Sequence, residues 1–288
     1  MPDSPPGAQA VSFLGDSLFP PVPTAEIGAE RERELREAFE RLAKAPSDAD
    51  AAIWFGRRLA YLGYYQEAIS VYTDGIAEHP EDARFLRHRG HRYVTTRNLD
   101  SAVEDLARAA KLVQGKPDQI EPDGLPNAKG IPTSTLKSNI WYHLGLAHYL
   151  AGDFERALSS YEEDLQAASN PDMLVAASHW LYMTLRRLGR PNEAAEVLDA
   201  IHAEMDIIEN HSYHRLLLMY KGEIPVEELL EEARGDDAIR NATIAYGIGN
   251  WFLYNGDEER AREIFQEILT GPQWAAFGYV AAEAEMAR

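Results

Sequence analysis

A four-point spacing recurs along this chain: a small residue, a glycine seven positions later, an alanine five beyond that, and a large apolar residue four further on. Gly56, Gly63, Ala68 and Tyr72 obey it, as do Gly145, Gly152, Ala157 and Tyr161, and again Gly249, Gly256, Ala261 and Phe265. Gly90, Arg97, Ala102 and Leu106 keep the spacing with one substitution. Tyr182, Gly189, Ala194 and Leu198 keep it too, and a sixth, degenerate copy centres on Gly222. Self-similarity at a fixed period is the signature of a stacked array, because one unit cannot bury its apolar face alone. Each unit reads as two amphipathic helices joined by a tight turn. The turn glycine tolerates φ > 0 and ends the first helix. The alanine lets the second helix approach closely, and the large residue one turn later fills the space beside it. Segments such as SNIWYHLGLAHYL and FERALSSYEEDL place apolar residues at helical spacing, and strand-like alternation is absent.

These residues resemble the tetratricopeptide repeat family. The best copy reads WYHLGLAHYLAGDFERALSSYEEDL, in which Trp141, Leu144, Gly145, Ala157 and Tyr161 match the family's Trp-x2-Leu-Gly and Ala-x3-Phe/Tyr pattern. His148 stands where a tyrosine is usual, and Pro80 sits where the family often closes a repeat. The resemblance covers roughly residues 49–271, in five clear copies and one weak one. It implies an all-α, right-handed superhelical solenoid of antiparallel helix pairs whose first helices line the inner surface. It implies no reaction, since the fold hosts many tasks.

The array is interrupted and flanked. A Pro-rich segment over 1–23 contains Val11, Phe13, Leu14, Leu18 and Phe19, expected to pack on the array or enter its groove. Residues 24–48 read as a charged capping helix, with Ile27, Leu35, Phe39 and Leu42 toward the first repeat. Repeats one and two occupy 49–112, and repeats three to six occupy 134–271. Between them, 113–133 holds four prolines and three glycines that forbid a continuous helix. Loops of that length in an array are commonly functional, so a flap over the groove, anchored by Ile120, Leu125 and Ile131, is one expectation and an idle insertion the other. Residues 272–288 read as a C-terminal capping helix.

Setting aside the signature positions leaves the residues expected to face the groove. The first helices of repeats one and two offer Trp54, Arg57, Tyr61, Arg84, Arg87, His88 and His91. Those of repeats three and four offer Asn139, Tyr142, His143, His179, Trp180 and Arg187. Repeats five and six offer Tyr213, Tyr246 and Asn250. Arg87, His91, Tyr142, His143, Trp180 and Arg187 are expected on one continuous inner surface. The set is cationic and aromatic, in a chain whose net charge is -19. Such chemistry suits an acidic peptide, a protein partner or a small anionic ligand. Arginines paired with neighbouring acids such as Asp50 or Glu209 are the plain alternative. Self-association through Trp274, Phe277 and Tyr279 is a further possibility.

The acidic balance disfavours nucleic acid and anionic lipid as partners. No apolar run approaches membrane-spanning length, and the N-terminus lacks a signal-peptide pattern, so a cytoplasmic location is expected. The absence of cysteine removes disulfides and thiolate sites. His88 with His91, and His211 with His214, have spacing compatible with a metal, but no HExxH segment accompanies them. Neither a GxSxG elbow nor a phosphate-cradling loop is present. No metal, cofactor or catalytic residue is expected. Two readings remain: a binding module or scaffold, and an unrecognised enzyme or small-molecule binder whose His- and Arg-lined pocket closes under the insertion.

Overall fold

The computed structural model describes residues 7–234 and 238–288; residues 1–6 of the Pro-rich segment lie outside the described residues. The chain divides into two compact units, Met1–Pro117 and Asp118–Arg288. The division falls inside the predicted 113–133 insertion.

Unit 1 opens on a short antiparallel hairpin, β1 (Ala10–Val11) and β2 (Ser17–Leu18), with Ala10 opposite Leu18. Two-residue strands are too short to leave an alternating pattern, which is why sequence periodicity missed them. The hairpin lies beside the second helix of repeat one, where Gln66 donates two hydrogen bonds to Gln9. Leu18 is buried, and Val11, Leu14 and Phe19 are exposed. Helix α1 (Ala25–Lys44) follows and packs on α2 (Ala49–Tyr61). Leu35 is buried in that contact and Phe39 packs on Phe55 at 5.6 Å, while Ile27 is exposed. The two repeats are α2 with α3 (Tyr65–Glu78) and α4 (Ala83–Thr95) with α5 (Leu99–Val113). Asp48, Asp82 and Asn98 accept backbone N–H groups at the starts of α2, α4 and α5, satisfying donors the helices cannot pair internally.

Unit 2 holds four pairs: α6 (Leu136–Leu150) with α7 (Phe154–Ala167), α8 (Pro171–Arg187) with α9 (Pro191–Val197), α10 (His211–Lys221) with α11 (Val226–Glu232), and α12 (Ala238–Tyr254) with α13 (Glu258–Leu269). Helix α14 (Phe277–Ala287) completes it. No described helix is long and apolar enough to cross a membrane.

The packing explains the spacing. A Cβ built on Gly90 would lie 2.6 Å from Leu106, on Gly145 2.7 Å from Tyr161, and on Gly249 2.6 Å from Phe265. Gly56 meets Tyr72 in the same way. Each small residue is thus the floor on which its own repeat's large residue lies. In repeat four that floor is Tyr182, which stacks instead on Tyr220 at 4.6 Å, and the second helix there is only seven residues before a 3-10 turn. The turn position has φ between 69° and 91° at Gly63, Gly152, Gly189 and Gly256, and Arg97 adopts 65° in repeat two. Arg97 therefore accepts the left-handed strain that glycine avoids, while its guanidinium bonds the Thr95 carbonyl at 2.5 Å.

Ala68, Ala102 and Ala157 are completely buried. Replacing any of them with leucine forces extra methylenes between touching helices, at a cost of about 1–3 kcal/mol each. Denaturant melts should show three lowered midpoints; three unchanged midpoints would mean that the repeat register is misplaced.

Within unit 2, residues 118–133 are held by polar links. Asn127 and Thr133 both bond the Glu209 carboxylate, at 2.7 and 2.6 Å, and Lys129 reaches Asp206 at 3.3 Å. Ile120, bridged to Thr135 through its backbone, Leu125 and Ile131 are exposed, so they are not the expected anchors. Hydrogen bonds fix the segment without apolar burial.

Candidate functional site

On α2, Trp54, Arg57 and Tyr61 recur at helical spacing and share one face. The Arg57 guanidinium lies 4.4 Å from the Trp54 ring centre, and its Nε donates to the Tyr61 hydroxyl at 3.2 Å. On the neighbouring first helix, Arg84, Arg87, His88 and His91 share a face in the same way. Arg87 Nη1 is 3.2 Å from Nδ1 of His88 and 3.4 Å from Nδ1 of His91. A guanidinium only donates, so both imidazole nitrogens accept. His88 also stacks on Tyr72 at 5.6 Å. Arg57, Arg87 and His88 are buried; Trp54, Tyr61 and His91 are half-buried around them. Since α2 and α4 touch, the unit 1 face presents fixed cationic charge behind an aromatic rim.

Arg84 stands apart from that group. It binds its own helix cap, Asp82, through both carboxylate oxygens and also pairs with Asp50. Hydrogen bonding from Asp82 and then Asp50 raises its affinity for its proton further. Asp50 is one of the acids expected to neutralise arginines, so here the plain alternative describes the geometry. Glu209, the other, serves Asn127 and Thr133 instead.

The unit 2 residues form an interior. Trp180 Nε1 donates to the Tyr142 hydroxyl at 2.9 Å, and that oxygen is 2.7 Å from the Tyr213 hydroxyl. Burial, reinforced by Tyr213 and Tyr161, holds the Tyr142 hydroxyl well above its ordinary pKa, so it is a neutral hydrogen-bonding group. His179 lies between Tyr213 at 4.7 Å and Tyr220 at 5.8 Å. Burial alone lowers its pKa to about 3, so it stays uncharged at neutral pH. Tyr246 stacks over Trp180 at 6.0 Å, and its hydroxyl lies 3.0 Å from that of Tyr149. Asn250 is fully buried, with its Oδ1 3.3 Å from Arg187 Nη1. Asn139 bonds Ser134 at the start of α6.

Helix α14 fills what would otherwise be the open side of this set. The Phe277 ring packs against Tyr142 at 6.2 Å and His143 at 5.6 Å. Arg187 pairs with Glu285 at 2.6 Å, and Tyr246 donates to the same carboxylate oxygen at 3.4 Å. Arg288 also pairs with Glu285 and donates to the Tyr149 and Leu150 carbonyls, closing the C-terminal end of α6. Helices α10 and α11 are short, so α8 and α12 meet directly and α14 reaches α6.

Three residues here escaped the sequence reading. Phe277 was read only as a surface for self-association. Glu285 belongs to AAEAEM, where an acid amid small apolar residues was a signal. Asp164 is buried on α7, hydrogen-bonded to Ser138, with its other carboxylate oxygen lacking any protein partner. Its position three residues after Tyr161, on the buried face, distinguishes it from the solvated Glu162 and Glu163 beside it. Among the described residues, no group of three His, Cys, Asp or Glu side chains is placed to hold a metal. His214 Nε2 bonds the His202 carbonyl at 2.8 Å, and His211 is exposed.

Comparison with known proteins gives a consistent result. Two tetratricopeptide repeat profiles match, one over residues 55–119 and one over 140–172. A tetratricopeptide repeat protein from Parabacteroides merdae superposes with a TM-score of 0.53 at 15% identity, covering 90% of this chain and 93% of its own. YrrB, described as a TPR protein with an unusual peptide-binding site, gives a TM-score of 0.46 at 16% identity, covering 86% of this chain and 97% of its own. No curated protein matches in sequence.

Proposed function

Because this chain is a tetratricopeptide repeat protein, we propose that it acts as a protein-interaction module whose unit 1 first-helix face receives an acidic protein segment. The observation that carries this reading is the cluster on α2 and α4: two buried arginines, each braced by an aromatic or imidazole ring, behind the half-buried Trp54, Tyr61 and His91. Arginine held this way keeps its charge and loses little freedom when a carboxylate arrives. The half-buried rings offer contact area at low entropy cost. In a chain of net charge -19, a cationic face selects its partner by field as well as by fit. The reading of a His- and Arg-lined reaction pocket draws no support from unit 2, where His179 is neutral and Arg187 is engaged by Glu285.

The test uses a labelled peptide of alternating glutamate and tyrosine and follows its anisotropy with the full chain. Arg87→Ala should weaken binding about tenfold or more, the loss of one charge-assisted contact. Affinity should also fall as salt rises. Circular dichroism would establish that the variant keeps its helices. Binding indifferent to both Arg87 and salt would overturn the proposal.

A further inference from the structure

Helix α14 packs on α12 and α13 with small side chains and reaches α6 and α8 with larger ones. Its buried residues are Gly278, Val280, Ala281, Ala282, Glu283 and Ala284, none larger on the apolar side than valine. Its N-cap, Ala276, makes no side-chain bond, and an 11-residue helix is marginal on its own. The helix's side chains that reach α6 and α8 are one aromatic and one acid. Phe277 sits against Tyr142 and His143; eight residues on, Glu285 accepts from Arg187 and Tyr246. Residues so spaced fall along one stripe of a helix. The helix packs on α12 and α13 and engages α6 and α8 as a bound ligand would, through two anchors on a small-residue backbone.

We propose that this unit 2 face is a docking site for a partner helix that repeats the α14 pattern, an aromatic residue followed eight residues later by a carboxylate, and that α14 is its displaceable resident. Tethering gives the resident an effective concentration in the millimolar range, so the site is masked until a tighter helix competes or α14 is released. A released α14 leaves the Arg187 guanidinium without its carboxylate, and the incoming acid restores the pair. The proposal concerns unit 2 alone and does not depend on the reading of unit 1.

Gly278 provides the test. A Cβ there would overlap the Ala242 carbonyl and crowd the Thr243 nitrogen, backbone atoms that cannot rotate away. Gly278→Val in the full chain should unseat α14 while leaving Tyr142, His143, Arg187 and Tyr246 intact. A fluorescein-labelled peptide of residues 272–288 should then bind the variant at least tenfold more tightly than the parent chain. A glutamine at the peptide position matching Glu285 should weaken binding about tenfold. Phe277→Ala combined with Glu285→Gln removes both anchors without a clash and serves the same assay should the valine variant not fold. Equal, weak binding to the parent and to every folded variant would overturn the proposal. So would variants that dimerise instead of taking up the peptide, because the face would then serve a second copy.

Discussion

Asp164→Asn should abolish a loss of stability that the parent chain suffers as pH rises. Burial raises the Asp164 pKa from 3.8 to about 8, and the Ser138 hydrogen bond only partly opposes it. Between those two values the folded chain holds a proton that the unfolded chain has released. The contribution of Asp164 to stability is therefore greatest below about pH 4, falls as pH rises through the window, and levels off above about pH 8. A shift of this size corresponds to a loss on the order of 5 kcal/mol across the whole window. The asparagine keeps the shape and never ionises. Denaturant midpoints at pH 5, 7 and 9 should fall for the parent chain and change far less for the variant. Parallel profiles for the two proteins would mean that Asp164 stays charged when folded.

Breaking the Arg187–Glu285 pair is the second large effect expected. The side chains are 15% and 5% exposed, so neither charge is freely solvated once its partner is gone. Glu285→Ala leaves Arg187 facing the Phe154 ring and the Asn250 amide oxygen, with no carboxylate among the contacts described. The expected loss is about 3 kcal/mol, the lower part of the range for a broken buried pair because Arg187 retains some solvent. Removing both charges with Arg187→Leu and Glu285→Ala should recover much of that loss, since an apolar replacement of a buried pair is often close to neutral. A double-mutant cycle by denaturant melting measures the coupling. A coupling near zero would show that α14 is held by shape alone.

The repeat was legible because its residues are set by contacts inside one helix pair. Gly145 and Tyr161 must coexist wherever a second helix crosses a first, so their spacing recurs with every copy. Turn residues were legible for the same reason, and even Arg97 at a glycine position left the register intact. The composition of the first-helix faces was readable too. Tyr142, Trp180, Arg187 and Tyr246 stood out because they lie off the signature and on one helical face.

What covers those faces depends on contacts between residues far apart in the chain. Nothing local marks Phe277 as the neighbour of Tyr142, or Glu285 as the acid that meets Arg187. The same holds for Asp164, which looks like any acid in an acidic helix until burial between α6 and α7 raises its pKa. The sequence by itself determined the helix pairs, their turns and the chemistry of each first-helix stripe, because each follows from interactions within about one repeat. Only the tertiary structure decided that the unit 2 stripe closes on α14, because short helices in repeat five let α8 and α12 meet and bring α14 against α6.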